Sequence, residues 1–327
     1  LALRSYVSAR KDLEAGFTTL RDAGNRGYVD VALRDAINAG WLEGPRLKVA
    51  GIALAATGGH MDRTKGLAPH VGIDQSTNMA DSPDEARRSA RYQIKMGADF
   101  IKIAATISEY VRKFGGLCSQ ELTFETMKAI CEVAHWAGRP VAAHCHGGQG
   151  VTDAILAGVD TLEHGRFVSD EQLDMMAERG VFLIPTMSPE GRVMEQGRQP
   201  GSSDVDWAWT CKANDAMYDA VLRAHKRGVQ VAVGSDATMP YVFHGENAYE
   251  MELFVRAGLT PMEAIVAGTK VGAAAVGMGD EVGTVEVGKF ADLVVVDGDP
   301  LADIRILQDM ARIKKVLKGG RVMVERP

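Results

Sequence analysis

Short apolar runs alternate with longer amphipathic stretches along this 327-residue chain. The runs at 17–20, 46–51, 100–104, 140–143, 160–163, 181–185 and 229–234 are the strand candidates, and most are rich in apolar or β-branched residues. That is the pattern of parallel strands buried on both faces. The stretches between them carry helix signals. Ser82-Pro83-Asp84-Glu85 and Thr260-Pro261-Met262-Glu263 each put a capping hydroxyl before a first-turn proline and acidic residues. Helices expected over 170–179 and 204–227 end at Gly180 and Gly228. Seven strand–helix alternations predict an α/β chain of the (β/α)8 TIM-barrel type that lacks its first strand. After 277 the period changes. ADLVVV (291–296) and IKKVLKGGRVMV (313–324) read as antiparallel strands, the second broken by a Gly-Gly hairpin turn. The expected division is a barrel over 1–277 and an accessory β domain over 278–327.

In such barrels the active site lies at the C-terminal ends of the strands. The run at 100–104 carries Lys102, and the run at 140–143 leads into His144-Cys145-His146. The run at 160–163 is followed by His164, and the run at 229–234 by Ser235-Asp236. Each has an ordinary structural reading. A strand lysine snorkels, a lone histidine is a hydrogen-bonded core residue, and an aspartate after Gly-Ser caps a helix. The weight lies in the joint placement, because four such groups buried without partners would cost several kcal/mol each.

Composition narrows the partners. A net charge of −6 and a pI near 5.8 argue against a nucleic-acid or anionic-membrane surface. No apolar run reaches the roughly 20 residues of a membrane helix. Four scattered cysteines without a C-x-x-C pair suggest free thiols and point to the cytoplasm. The chain opens at Leu1 directly in helix-like sequence and reads as a fragment or processed form.

The runs ATGGH (56–60), GADFIKI (97–103), VAAHCHG (141–147), GVDTLEHG (158–165) and GSDA (234–237), with the tail GTVEVGKFADLVVVDGDPL (283–301), resemble the amidohydrolase superfamily. The resemblance is to the branch of imidazolonepropionase-like and prolidase-like dipeptidases and carboxypeptidases, and it runs along nearly the whole chain. It implies two divalent metal ions, commonly zinc, bridged by a carboxylated lysine that matches Lys102. His144 and His164 match metal-side histidines. Asp236 matches the aspartate that touches one metal and shuttles protons. His146 and His60 match residues that bind a substrate carboxylate. The family's first-strand H-x-H has no counterpart, which implies that this chain lacks two metal ligands and one strand.

Arg166, just after His164, and His244, in YVFHGEN (241–247), are further candidates for substrate contact. Arg166 reads equally well as a surface arginine. His135 and His225, on helices, read as structural. The expected activity is hydrolysis of the amide bond of a dipeptide or N-acyl amino acid with a free carboxylate. Three rivals stand beside it: a cyclic-amide hydrolase, a Schiff-base lyase using Lys102, and a degenerate barrel serving as a binding module. The expected partners are a small-molecule or dipeptide substrate and, through two sheet edges exposed by the absent strand, other copies of the chain.

Overall fold

The computed structural model describes residues 1–64, 67–68, 70–71, 77–107, 118–198 and 203–327. In chain order its elements are α1 (Ala2–Glu14), β1 (Thr19–Asp22), α2 (Val29–Asn38), β2 (Arg46–Val49), α3 (Pro83–Lys95), β3 (Ile101–Ala104), α4 (Phe124–Trp136), β4 (Val141–Gly147), α5 (Gln149–Ala157), β5 (Thr161–Phe167), α6 (Asp170–Arg179), β6 (Phe182–Ile184), α7 (Ser188–Gln196), α8 (Asp204–Lys226), α9 (Tyr249–Arg256) and α10 (Pro261–Val266). A π-helical turn (Ala267–Val271) leads into α11 (Gly272–Ala275), followed by β7 (Leu293–Val296), a 3-10 turn (Ile304–Gln308), β8 (Ile313–Lys318) and β9 (Arg321–Glu325). Helices begin where capping residues stand. Ser82 accepts from the Glu85 amide, and capping boxes at Ser169–Gln172 and Thr260–Glu263 open α6 and α10.

The chain divides into two compact units. One comprises Arg21–Asp35 and Lys48–Leu183; the other comprises Leu1–Leu20, Ala36–Leu47 and Ile184–Pro327. In the first, β3, β4 and β5 are parallel neighbours, in registers that include Ile101↔Val141 and Ala142↔Thr161. Every residue of β3 and β4 is buried, as their apolar runs require. Leu54 adds a further parallel bridge to Ile103. Its amide donates to the Lys102 carbonyl at 2.8 Å, and its own carbonyl accepts from the Ala104 amide at 3.0 Å.

In the second unit an antiparallel sheet runs in the order β7-β8-β9. Gly319 and Gly320, both at positive φ (59° and 79°), make the turn that pairs Lys318 with Arg321. α1 lies on this sheet through Leu13, which packs with Ile313 and Val316. The small sheet shares a unit with α1 and α7–α11.

Two expectations shift. β4 and β5 each run four residues further than the runs read from the sequence, so His144, His146, His164 and Arg166 lie within strands. The segment 229–234 forms no ladder; only Val231 is a bridge residue. The Val233 amide donates instead to the carbonyl of Ala267, at the start of the π-helical turn, at 3.3 Å. The same carbonyl accepts the Gly272 amide that closes the π-helical turn. No helix among the described residues is long and apolar enough to cross a membrane.

Candidate active site

Lys102 is the second residue of β3 and is only 4% exposed, so it does not snorkel. Its Nζ pairs with Oε2 of Glu163 on β5. Oε1 of Glu163 accepts from Arg21 Nη2 at 2.8 Å and from Thr161 Oγ1 at 2.7 Å, and Arg21 Nη1 donates to Thr161 Oγ1 at 2.9 Å. The Arg21 guanidinium lies 5.1 Å from the centre of the Phe100 ring. The result is a polar layer that joins residues of β1, β3 and β5 among otherwise apolar strands. Burial alone would raise the Glu163 carboxyl. The charges of Lys102 and Arg21, with hydrogen bonds from Lys102 and Thr161, outweigh it and hold the group below the ordinary carboxylate range.

Four imidazoles gather in the same unit. Strand alternation places His144 and His146 on one side of β4. The rings of His60 and His144 stack at 4.1 Å with 15° between planes. His144 meets His146 and His164 edge-on at 4.6 Å each, and His146 stacks on His164 at 5.0 Å. Glu121 fastens the ATGGH segment, accepting from the His60 amide at 2.7 Å and the Ala56 amide at 3.1 Å. His164 holds φ at +73°, a left-handed conformation uncommon for a side-chain-bearing residue. Burial pushes His144, His146 and His164 well below the ordinary imidazole value. Their mutual interactions, Lys102 and, for the latter two, Arg166 push them further. The rings are therefore neutral at physiological pH, the form that serves as a metal ligand. Arg166 is 5% exposed, which removes its reading as a surface arginine.

Nε2 of His144 and Nδ1 of His146 are buried without a hydrogen-bond partner among the described residues. A buried polar atom left so costs about 1–3 kcal/mol, which a ligand would recover. No three His, Cys, Asp or Glu side chains among the described residues stand ready as a metal cage. The donor chemistry nonetheless fits a divalent cation: neutral buried imidazoles with unsatisfied nitrogens, next to a buried lysine.

Asp236 and His244 belong to the other unit. Asp236 sits at φ +50°, in a segment where Thr238 (+90°) and Tyr241 (+64°) are also left-handed. Nδ1 of His244 lies 2.7 Å from Oδ2 of Asp12 on α1. In the same unit Glu250 is fully buried. It accepts from the amides of Met187 and Ser188 at 2.7 and 2.8 Å and from the Ser188 hydroxyl at 2.5 Å. Burial pushes it up to about 7 despite these donors, and Asp236 adds to the rise. His135 and His225 are structural as expected, bound to Asp160 at 2.9 Å and Glu263 at 3.0 Å. Sequence reasoning passed over Arg21, Glu121, Glu163, Asp12 and Glu250. Glu163 alone left a trace, as a carboxylate inside an apolar run.

The model of the Amidohydrolase family matches residues 4–323. Ochratoxinase of Aspergillus niger is 32% identical over 332 residues, which cover 95% of this chain and 66% of that protein. The chain thus spans just under two-thirds of that relative's length. Among solved structures, a Xaa-Pro dipeptidase with methionine bound in its active site is similar at a TM-score of 0.89 and 34% identity, over 98% of this chain and 78% of that one. A prolidase complexed with N-methylphosphonate-L-proline is similar at a TM-score of 0.87 and 28% identity, over 99% and 80%.

Proposed function

The chain belongs to the amidohydrolase family, with an α/β fold of the TIM-barrel type and an added antiparallel sheet, and from that premise we propose that it hydrolyses the amide bond of a dipeptide or N-acyl amino acid with a free carboxylate. The observation that carries the reading is the cluster of His60, His144, His146 and His164, with two unsatisfied nitrogens beside buried Lys102. We assign residues 1–277 to the barrel and 278–327 to an accessory domain.

Lys102, in carboxylated form, with His144, His164 and Asp236 would hold two divalent ions, zinc being the choice suited to imidazole donors. When bound, such ions supply a water acidic enough to ionise near neutral pH and a Lewis acid for the carbonyl. The remaining work falls to the chain's own groups. Asp236 takes a proton from the attacking water and passes it to the departing nitrogen. Arg166, with a rigid fork of donors and almost no exposure, binds the substrate carboxylate more strongly than a solvated arginine would. His60 and His146 add donors for the substrate carboxylate, and His244 is assigned to substrate contact. The Xaa-Pro dipeptidase and the proline-bearing ligand of the prolidase support a carboxylate-terminated substrate.

The test is elemental analysis of the protein purified with zinc and bicarbonate, followed by a panel of dipeptides, N-acyl amino acids and hydantoins. Bound zinc that is lost in Lys102→Ala, with turnover of the carboxylate-bearing amides, is the expected result. A folded protein without zinc, or turnover of the cyclic amides alone, overturns the proposal.

A further inference from the structure

We propose that Asp12, on α1, is a positioning residue for the segment that carries Asp236 and His244. Asp12 is buried, and both its carboxylate oxygens are engaged on that segment. Oδ1 accepts from the Gly245 amide and from Asn247 Nδ2, each at 2.7 Å. Oδ2 faces His244 Nδ1 at 2.7 Å. The chain of bonds continues, because Asn247 Oδ1 accepts from the Ser235 hydroxyl at 2.7 Å, and Ser235 immediately precedes Asp236. One helical carboxylate thus reaches both ends of the segment.

The segment needs such an anchor. Asp236, Thr238 and Tyr241 are all left-handed without being glycine. Conformations of this kind cost on the order of 1–3 kcal/mol each and persist only where the surroundings over-determine them. Bonds within the segment, such as Thr238 N to Val242 O at 3.1 Å, fold it on itself. Arg192 on α7 holds it at Glu246, at 2.9 Å. Asp12 holds it at the next residue back, Gly245, which has φ +93°. A Cβ there would stand 3.4 Å from both the Cβ and the carbonyl oxygen of Lys11. The backbone of the segment lies directly on α1 next to Asp12.

The carboxylate also selects the form of His244. An acceptor opposite Nδ1 puts the proton on Nδ1, and in the neutral ring Nε2 is then the acceptor. The catalytic consequence of this placement rests on the function proposed above; the tautomer and the anchoring do not.

The test is nitrogen NMR of the full chain labelled with 15N-histidine, together with amide hydrogen exchange over 236–247, in wild type, Asp12→Asn and Asp12→Ala. His244→Gln assigns the signal. In Asp12→Asn the amide oxygen keeps Gly245 and Asn247, and the amide nitrogen is turned to His244. The expected result is a switch of His244 to the Nε2-protonated tautomer with exchange close to wild type. In Asp12→Ala the Gly245 amide exchanges about tenfold to a hundredfold faster, as loss of a charged acceptor requires. Retention of the Nδ1–H form in Asp12→Asn overturns the proposal, as does unchanged exchange in a folded Asp12→Ala. Should Asp12→Ala fail to fold, the tautomer in Asp12→Asn decides alone. A wild type inactive on every substrate tested would count against the proposed function, whereas the role of Asp12 stands or falls with the spectra.

Discussion

In the metal-free protein, where Lys102 is an ammonium, Glu163→Gln would leave two buried cations without their counter-charge. The substitution preserves size, and the remaining carbonyl oxygen still serves Arg21 and Thr161, which are bound at 2.8 and 2.7 Å. What it removes is the charge shared between Lys102 and Arg21. Breaking a buried ion pair from one side costs about 3–5 kcal/mol, because the orphaned charge keeps its desolvation penalty. Against a total stability of about 5–15 kcal/mol, that is a large share. Equilibrium urea unfolding at pH 7, with an unchanged slope, measures it. The pH dependence has a definite sign. Glu163 is held below its ordinary value of 4.5, so its contribution is present above that value and is lost as the pH falls. The gap between wild type and Glu163→Gln should therefore close on acidification. Adding Lys102→Met should recover part of the loss, since it removes one of the uncompensated charges. A single-mutant cost below about 1 kcal/mol, or a gap that widens in acid, would refute the reasoning.

Glu250, pushed up to about 7 from 4.5, binds its proton more tightly in the folded state. Its contribution to stability is full below about 4.5 and is lost as the pH rises through about 7, roughly 3 kcal/mol in all. Urea midpoints of Glu250→Gln should lack this decline, and a parallel decline in both proteins would contradict the assignment. Gly165→Ala puts a methyl 2.7 Å from Leu183 Cδ1, at a φ of +60° and next to His164. We expect a loss of about 2 kcal/mol or more by calorimetry, and an unchanged thermal midpoint would count against the packing described.

The strands that carry Lys102 and the histidines were legible because their chemistry interrupts a simple pattern. Lys102, His144 and His146 break all-apolar runs, and strand alternation puts the two histidines together. The hairpin at Gly319-Gly320 was legible for a similar reason, since little else occupies two consecutive left-handed positions. The segment 229–234 has the same composition as the true strands, and no local feature reveals that the Val233 amide is taken by Ala267, 34 positions later. Arg166 was ambiguous because exposure is a property of the fold, whereas charge is a property of the residue. Asp12 and Glu250 were invisible. An acid on a helix usually faces solvent, and their partners, at 244–247 and 187–188, are remote in sequence. The sequence thus exposed the groups suited to the chemistry and concealed most of the groups that hold them.

The polar layer of Arg21, Lys102 and Glu163 also bears on the order in which the chain assembles. Glu163 lies 142 positions from Arg21 and 61 from Lys102. The three charges cannot neutralise one another until β1, β3 and β5 have all met. A collapsed intermediate that traps one of them early carries an unpaired ion, which costs far more than its apolar contacts return. Such intermediates stay wet and reversible. Contacts of this sequence separation form late. Stabilisation acquired after the rate-limiting step slows unfolding and leaves the folding rate almost untouched. The layer therefore acts as a latch: it contributes little to the search for the fold, and it sets how long the folded unit survives.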